Sequence, residues 1–275
     1  MVQIVTDGSQ LCEKNSFGDI SLAPSVKTRS PSVTTSHALS TPYPRTTKFD
    51  RLIHDLTVRD SPHAINHWID KNEFEIRLPT LRSTMERIAE VQKRWGVVQL
   101  WSEDVSEAFH HVKLNLRSRP LLMFRIGERY YIRTTISFGS RSSPGLWAEV
   151  INLFTWHLQQ SFPMEFHYLQ CYVDDFLGIG HDIESESRNQ LRFQQTAARL
   201  GIRLDPAKRQ RPSQKQTIGF EFDTVSMTVA IPAAKLAKAK NRIRAVIDEG
   251  AVSRLQIQQI LGTLNHLAQI MPAGR

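Results

Sequence analysis

The chain has 275 residues, of which 40% are hydrophobic and 23% charged, with a formal net charge of +8 at pH 7; these values are typical of one large or two ordinary globular domains. It contains no apolar run of membrane-spanning length, no secretory signal pattern at its start, and only two cysteines, Cys12 and Cys171, without a Cys-x-x-Cys motif. We therefore expect an intracellular protein of the cytoplasm or the nucleus, with no disulfide scaffold and no zinc site.

The first segment, residues 1–42, shows no sustained apolar period. Sixteen of the 27 residues from Ser21 to Thr47 are Ser, Thr or Pro, which predicts disorder or a linker. Folded structure is predicted to begin near Tyr43. Arg51–Leu56 has the pattern of a strand, and two basic residues, Arg45 and Lys48, precede it.

A helix is predicted over Leu78–Gly96, with Gly96 as its terminator. Val97–Asp104 then has the pattern of a strand that ends in an acid. Farther on, Gly127-Glu128 between two strand-like runs predicts a hairpin. A helix over Pro144–Gln160 follows, with a predicted apolar stripe of Leu146, Val150, Phe154 and Leu158.

Two adjacent acids, Asp174 and Asp175, lie between two short apolar runs, which places them at the tip of a predicted hairpin. Ionised carboxylates this close repel each other unless a cation lies between them. An exposed acidic turn is the alternative. A strand that ends in Asp104 can bring a third carboxylate to this tip, and three carboxylates around one or two Mg²⁺ ions suit in-line displacement at a phosphate.

The C-terminal part predicts a helix over Ile183–Leu200 ended by Gly201, a hairpin over 217–231, and two helices from Pro232 onward. Residues 206–275 hold eleven Lys or Arg against four Asp or Glu. Such a basic lobe suits an enzyme that holds a polyanion, although a solvated helix face would look the same.

These motifs resemble a known family. Tyr172-Val173-Asp174-Asp175, with Asp104-x-x-x-Ala108-Phe109 upstream, resembles the palm of a reverse transcriptase. The flanking segments are most similar to DIRS-like retrotransposons, which use a tyrosine recombinase. The resemblance implies an α+β right-hand polymerase fold: fingers and palm over residues 43–231, in which helices back an antiparallel sheet, and a partial helical thumb over 232–275.

The resemblance also implies a catalytic centre. Asp104, Asp174 and Asp175, with the backbone carbonyl of Val105, would bind two Mg²⁺ ions, or Mn²⁺ in their place. Lys208 matches the lysine that protonates the departing pyrophosphate. Three nearby basic residues leave this assignment open beside that of a solvated lysine: Arg209, Arg211 and Lys215.

For the incoming dNTP, the resemblance implies that Arg51 grips the triphosphate, with Arg45 and Lys48 as weaker candidates; Arg51 could instead pair with Asp50 or Asp55. Phe109 would lie beneath the sugar and exclude a 2′-hydroxyl, or it is a core residue. Phe138 and Gly139 would contact the nucleotide. They lie in a segment similar to the family's Pro-Phe-Gly-x-x-x-Ala-Pro, with Ser137 and Ser143 in place of Pro and Ala.

Further residues would hold the RNA or DNA template and primer. The hairpin with Gly219 and Phe220 resembles the primer grip, and Lys235, Lys238 and Arg242 on the next helix would track the duplex backbone. The leading hypothesis is thus an RNA-directed DNA polymerase. A catalytically inactive nucleic-acid-binding remnant of a retroelement is the alternative from another class. An RNA-dependent RNA polymerase is a third, and Phe109 argues against it.

Overall fold

The computed structural model describes residues 2–5, 56–57, 64–70, 72–73, 76–126, 128–250 and 252–270. In chain order, its strands and α-helices are β1 (Val2–Val5), α1 (Ile65–Trp68), α2 (Leu81–Trp95), β2 (Gln99–Asp104), β3 (Met123–Ile126), β4 (Arg129–Arg133), α3 (Ser143–Ser161), β5 (Gln170–Tyr172), β6 (Asp175–Gly180), α4 (Ile183–Arg199), β7 (Gln210–Ser213), β8 (Lys215–Ile218), β9 (Phe220–Asp223), β10 (Thr228–Ala230), α5 (Ala233–Glu249) and α6 (Arg254–Leu267). Short 3₁₀ helices form at Ala108–His111 and Arg119–Leu122.

The chain divides into two compact units, Met1–Ile76 with Glu107–Val150, and Arg77–Ser106 with Ile151–Arg275. In the first unit, β1, β4 and β3 form an antiparallel sheet in that order. The hairpin predicted around Gly127-Glu128 is confirmed, since Ile126 pairs with Arg129. Within the segment predicted as a linker, the structure describes β1 alone, and there it is a strand.

The second unit is built on a four-stranded antiparallel sheet with the order β5-β6-β2-β7. Strand β2 is central and follows the alternation of side chains expected of a strand. Leu100, Ser102 and Asp104 face one side of the sheet, and Trp101 and Glu103 face the other. Because directly paired residues share a face, the register Asp104↔Asp175 puts both acids on the first side.

Helix α4 covers the side of the sheet that carries Trp101. Four aromatic side chains fill this layer with edge-to-face contacts: Trp101, Phe154, Phe176 and Phe193. Trp101 lies opposite Gly178, and a Cβ atom at Gly178 would overlap the Trp101 indole ring. Glycine at this strand position is therefore required by its neighbour rather than by its own backbone conformation.

The other side of the sheet packs on α2 and on a second, three-stranded sheet with the order β10-β9-β8. Ile88 and Val91 of α2 meet Leu100 and Ile179 of the first sheet and Phe222 of the second, all of them buried. This core holds β2 and β6 at the register that pairs Asp104 with Asp175.

The predicted helix ends are confirmed within a few residues. Helix α2 begins after a Thr80 capping box with Ser83 and ends at Gly96, whose φ of 77° is left-handed. Helix α4 begins at an Asp182 cap and ends before Gly201, at φ 73°. The two C-terminal helices are α5 and α6. No helix in the described part of the chain has both the length and the apolar character needed to cross a membrane.

The predicted apolar stripe of α3 is wrong in two of its four positions. Phe154 and Leu158 are buried as expected, but their buried partners are Trp147 and Ile151. Leu146 is only partly buried and Val150 is more than one-third exposed. The helix is apolar over much of its surface, so the spacing of apolar residues could not identify the buried face.

Candidate active site

Asp104 and Asp175 stand side by side at one end of the central sheet. Asp104 is the last residue of β2, Asp175 is the first of β6, and the two are direct cross-strand partners. Asp104 is buried, at 5% exposure, and Asp175 is partly buried. Directly opposed residues place their Cβ atoms about 5 Å apart, so the strand register alone brings these two carboxyl groups together.

The short distance between the acids affects the pKa of Asp175. Burial, then the charge of Asp174, then the charge and hydrogen bond of Asp104 raise the pKa of Asp175 to about 6, and Lys208 opposes the rise. A cluster of carboxylates in partly desolvated surroundings gains from any cation placed against it.

Asp174 lies in the turn between β5 and β6. Tyr172 pairs with Asp175, so Val173 and Asp174 are the two turn residues, and the turn begins one residue earlier than predicted. Val173 has a φ of 60°, a conformation that is strained for a β-branched side chain. The carbonyl of Asp174 accepts a hydrogen bond from the backbone N–H of Val105, at 2.8 Å. This bond ties the turn to the end of β2.

Lys208 is the basic residue that the structure places against this pair. Its Nζ donates to both carboxylate oxygens of Asp104, at 2.8 and 2.7 Å. Burial alone would lower the pKa of Lys208, but the hydrogen bond and charge of Asp104, then the charges of Asp174 and Asp175, raise it overall. Two of its basic neighbours have other partners, since Arg209 pairs with Glu103 and Lys215 with Asp223.

The donor set at this site consists of oxygen atoms, as Mg²⁺ and Mn²⁺ prefer. A cavity of about 330 Å³ opens here, lined in part by Asp104, Asp175 and Lys208. The described residues contain no group of three or more His, Cys, Asp or Glu side chains that could hold a metal ion. The structure therefore brings together two of the three predicted carboxylates as a pair, while Asp174 joins them through its backbone and its charge. Two adjacent carboxylates beside a polar cavity fit a divalent cation in their chemistry.

Glu103, on the opposite side of β2, was missed from the sequence. Its side chain is fully buried and accepts hydrogen bonds from Gln190 at 2.9 Å, Gln194 at 2.7 Å and Arg209 at 3.0 Å. Burial raises the pKa of Glu103, and these three partners oppose the rise. Because side chains alternate along a strand, Glu103 lies on the face opposite to that of Asp104, which α4 covers. A single acid on a face expected to be buried is the sequence feature that could have identified it.

The first unit carries predicted nucleotide contacts. Phe109 is buried, and its ring packs on that of Phe138 with centroids 4.8 Å apart. Gly139 is exposed, with a φ of 100° that favours glycine. Sequence reasoning missed Asn66, which is 2% exposed, donates to the Gly139 carbonyl at 2.8 Å and accepts from the backbone N–H of Arg141 at 2.9 Å. Asn66 thus fixes the shape of this loop.

Three of the residues predicted to hold the primer and its duplex, Gly219, Phe220 and Lys235, line part of a second cavity, of about 750 Å³, in the second unit. Gly219, at φ 68°, forms the turn between β8 and β9. Phe220 is buried, and its ring stacks on that of His266 of α6, a contact that the sequence did not reveal. Lys235 donates to the Gly219 carbonyl at 2.8 Å.

On α5, Lys238 is exposed and Arg242 donates to Thr263 of α6 at 3.1 Å. Ala239 is the buried residue of this helix, and its half-buried positions include Leu236, Ile243 and Val246. Arg51, with its weaker alternatives Arg45 and Lys48, lies outside the described residues, so its predicted contact with the triphosphate remains a prediction.

Comparison with known proteins adds to this geometry. Residues 50–222 match the family described as "Reverse transcriptase (RNA-dependent DNA polymerase)". A "Putative enzymatic polyprotein" of Cassava vein mosaic virus is 22% identical over 171 residues, which are 62% of this chain and 24% of that protein. This chain therefore spans about a quarter of the length of that curated relative.

Solved structures of foamy viral proteins are similar to this chain. A foamy viral protease-reverse transcriptase in complex with double-stranded DNA superposes with a TM-score of 0.56 at 16% identity, covering 87% of this chain and 37% of that one. A foamy viral protease-reverse transcriptase in complex with an RNA/DNA hybrid gives a TM-score of 0.46 at 18% identity, covering 62% and 21% of the two chains. The first superposition confirms the predicted fold, an antiparallel sheet backed by helices as in a polymerase palm.

Proposed function

The chain belongs to the reverse transcriptase (RNA-dependent DNA polymerase) family, and on that premise we propose that it acts as the RNA-directed DNA polymerase domain of a retroelement polyprotein. It extends a primer 3′-hydroxyl with dNTPs along an RNA or DNA template. The observation that carries this proposal is the direct pairing of Asp104 with Asp175 on one face of the sheet, beside the Asp174 turn. The finer assignment to the DIRS-like elements rests on the sequence resemblance.

The same carboxyl groups would hold the divalent cations. Asp104, Asp174 and Asp175, with the Val105 carbonyl, would bind two Mg²⁺ ions, which would activate the primer hydroxyl and stabilise the departing pyrophosphate. Lys208 acts as the general acid. Its raised pKa keeps the ammonium group protonated at neutral pH, so it carries a proton to give to a pyrophosphate oxygen once it leaves Asp104.

The substrate contacts follow the family resemblance. Arg51 binds the triphosphate, Phe109 excludes the 2′-hydroxyl, and Phe138 and Gly139 shape the nucleotide-binding loop that Asn66 holds. The proposed fingers and palm comprise residues 43–231 and the partial thumb residues 232–275. The proposed location of the protein is inside the cell, in the cytoplasm or the nucleus.

The primer and its duplex are held by Gly219, Phe220, Lys235, Lys238 and Arg242. Because Phe220 is buried and Lys235 bonds the Gly219 carbonyl, these two residues contribute by fixing the β8–β9 turn. Lys238 is exposed and can therefore contact backbone phosphates. Such contacts would make binding depend on salt concentration but not on base sequence.

Primer extension on an RNA template tests the proposal. Wild-type protein with Mg²⁺ and dNTPs is expected to lengthen the primer, and Asp175→Asn is expected to abolish the product. Asp182→Asn is the matched control, because Asp182 caps helix α4 and asparagine caps a helix about as well as aspartate. Absence of Mg²⁺-dependent product from the wild type, or equal product from Asp175→Asn, would refute the proposed activity.

One observation favours a second function, that of a nucleic-acid binder without catalysis. Lys208 holds both oxygens of Asp104, and a permanent pair of this kind would keep a cation off that carboxylate. This alternative predicts salt-sensitive binding to an RNA–DNA duplex that survives Asp104→Asn, Asp174→Asn and Asp175→Asn together, with no nucleotide incorporated by the wild type.

A further inference from the structure

The residues around Lys208 form a short loop beside the end of β2. The loop begins at Asp205, whose N–H donates to the Asp104 carbonyl at 2.9 Å, and ends at Gln210, where β7 begins and pairs with Ser102. Between these anchors the N–H of Lys208 donates to the Asp205 carbonyl at 3.2 Å. We define this segment, residues 205–210, as the lysine loop.

The apex of the lysine loop is held from both faces of β2 by two consecutive pairs. Lys208 reaches Asp104 on the side of the carboxylate pair, and Arg209 reaches Glu103 on the side covered by α4. The two pairs differ in their surroundings. Exposure is similar in the two pairs, at 39% for Lys208 and 7% for Asp104 against 32% for Arg209 and 0% for Glu103. The difference lies in hydrogen bonding, because Glu103 receives two further hydrogen bonds from α4, given by Gln190 and Gln194.

Because of this difference, we expect one ion pair to break during turnover and the other to remain intact. In the proposed reaction, Lys208 must release Asp104 to reach the pyrophosphate, so its ion pair is temporary. The Glu103 carboxylate is fully buried and accepts hydrogen bonds from three side chains, so breaking its pair with Arg209 would leave a buried charge without its cation. That pair therefore persists while Lys208 moves.

We propose that Glu103 is a positioning residue for catalysis, which acts through Arg209 to hold the lysine loop so that Lys208 stays within reach of the leaving group. The inference rests on the function proposed above and extends it. Gln190 belongs to the same device, since its amide donates to Glu103 at 2.9 Å and to the Gln210 carbonyl at 3.1 Å, where the loop ends.

Glu103→Gln removes the charge with little change of volume. Glu186→Gln is the matched control, because Glu186 is a second buried glutamate of the same unit and accepts its hydrogen bonds from Trp101 and Asn189 instead of from Arg209 of the lysine loop. Arg209→Gln breaks the pair from its partly exposed end, and it serves if Glu103→Gln does not fold.

The first readout is independent of activity. Amide hydrogen exchange over the lysine loop, residues 205–210, is expected to become about tenfold faster in Glu103→Gln and Arg209→Gln, because the loop opens more often when this ion pair is lost. It is expected to stay at the wild-type rate in Glu186→Gln. Equal exchange in all three variants would overturn the proposal whether or not the protein polymerises.

The second readout is the kinetics of single-nucleotide incorporation. Glu103→Gln is expected to lower kcat about tenfold, as small misplacements of a catalytic group do, while KM for the dNTP and primer affinity stay within about twofold. In a Lys208→Ala background, Glu103→Gln is expected to have no further effect on kcat, because the group it positions is gone. A loss that persists in that background would overturn the proposal. If the wild type incorporates nothing, the polymerase function fails, and the exchange rates still decide whether Glu103 holds the loop.

Discussion

Replacing Asp175 with asparagine is expected to stabilise the cation-free protein while it abolishes polymerisation. The pKa of Asp175 rises from 3.8 to about 6, first through burial and then through Asp174 and Asp104. One pKa unit corresponds to about 1.4 kcal/mol, so the ionised carboxylate costs the fold about 3 kcal/mol at most. Asparagine has nearly the same shape and carries no charge, so the variant avoids this cost.

The sign of the effect fixes its pH dependence. Below pH 3.8, Asp175 is protonated in the folded and the unfolded chain, and it contributes no penalty. Between 3.8 and about 6 the unfolded chain ionises first, so wild-type stability falls as pH rises, and the full penalty is present above about 6. The stability gap between Asp175→Asn and the wild type should therefore open across this range and then stay constant.

Urea denaturation in the presence of a chelator, at several values between about pH 4 and pH 8, measures the gap. Asp223→Asn is a control of opposite sign, because the hydrogen bond from Lys215, then that from the Ser226 backbone, lower the pKa of Asp223 to about 2. Its loss should destabilise the protein at neutral pH. A less stable Asp175→Asn at neutral pH, or a gap that does not change with pH, would refute the reasoning.

Three further predictions follow from contacts described above. Gly178→Ala should destabilise the protein by about 1–3 kcal/mol in urea denaturation, because the new methyl group displaces the buried Trp101 ring; Gly262→Ala, on α6 with open space around it, should instead stabilise it by up to about 1 kcal/mol. Phe109→Val should raise the ratio of rNTP to dNTP incorporation about tenfold or more, because the smaller side chain no longer clashes with the 2′-hydroxyl. An unchanged ratio would mean that Phe109 is only a core residue. Asn66→Ala removes the amide that holds the Gly139 carbonyl; KM for dNTPs should rise with little change in primer affinity, whereas an unchanged KM would show that this loop does not bind nucleotide.

The sequence predicted those parts of the site that depend on local pattern. The alternation in β2 and the glycines that end α2 and α4 each act over a few residues, and these strand and helix ends lie within a few residues of their predicted positions. The β5–β6 turn begins one residue earlier than predicted. The sequence also suggested that the end of β2 could bring Asp104 to the Asp174-Asp175 turn, but the register that pairs Asp104 with Asp175 is known only from the structure.

The sequence could not predict contacts made by side chains far apart in the chain. Arg209 meets Glu103 across 106 positions, and Lys208 meets Asp104 across 104, and neither separation leaves a periodic trace. The buried face of α3 was misassigned for a related reason, since the choice between Val150 and Ile151 depends on what packs against the helix. Asn66 and His266 gained their roles from loops and helices that meet only in the folded protein.

The buried environment of Glu103 bears on how the sheet folds. If the register between β2 and β6 shifted by one residue, every side chain of β2 would move to the other face of the sheet. Glu103 would then lie beside Asp175 in place of Asp104. That misaligned sheet would still present two acids, so the acids alone do not distinguish it. In that sheet, however, Asp104 would be buried beneath α4. There, Gln190, Gln194 and Arg209 lie at distances that suit the longer glutamate side chain. Two acids of unequal length in succession thus give the folding chain a way to reject the wrong strand alignment.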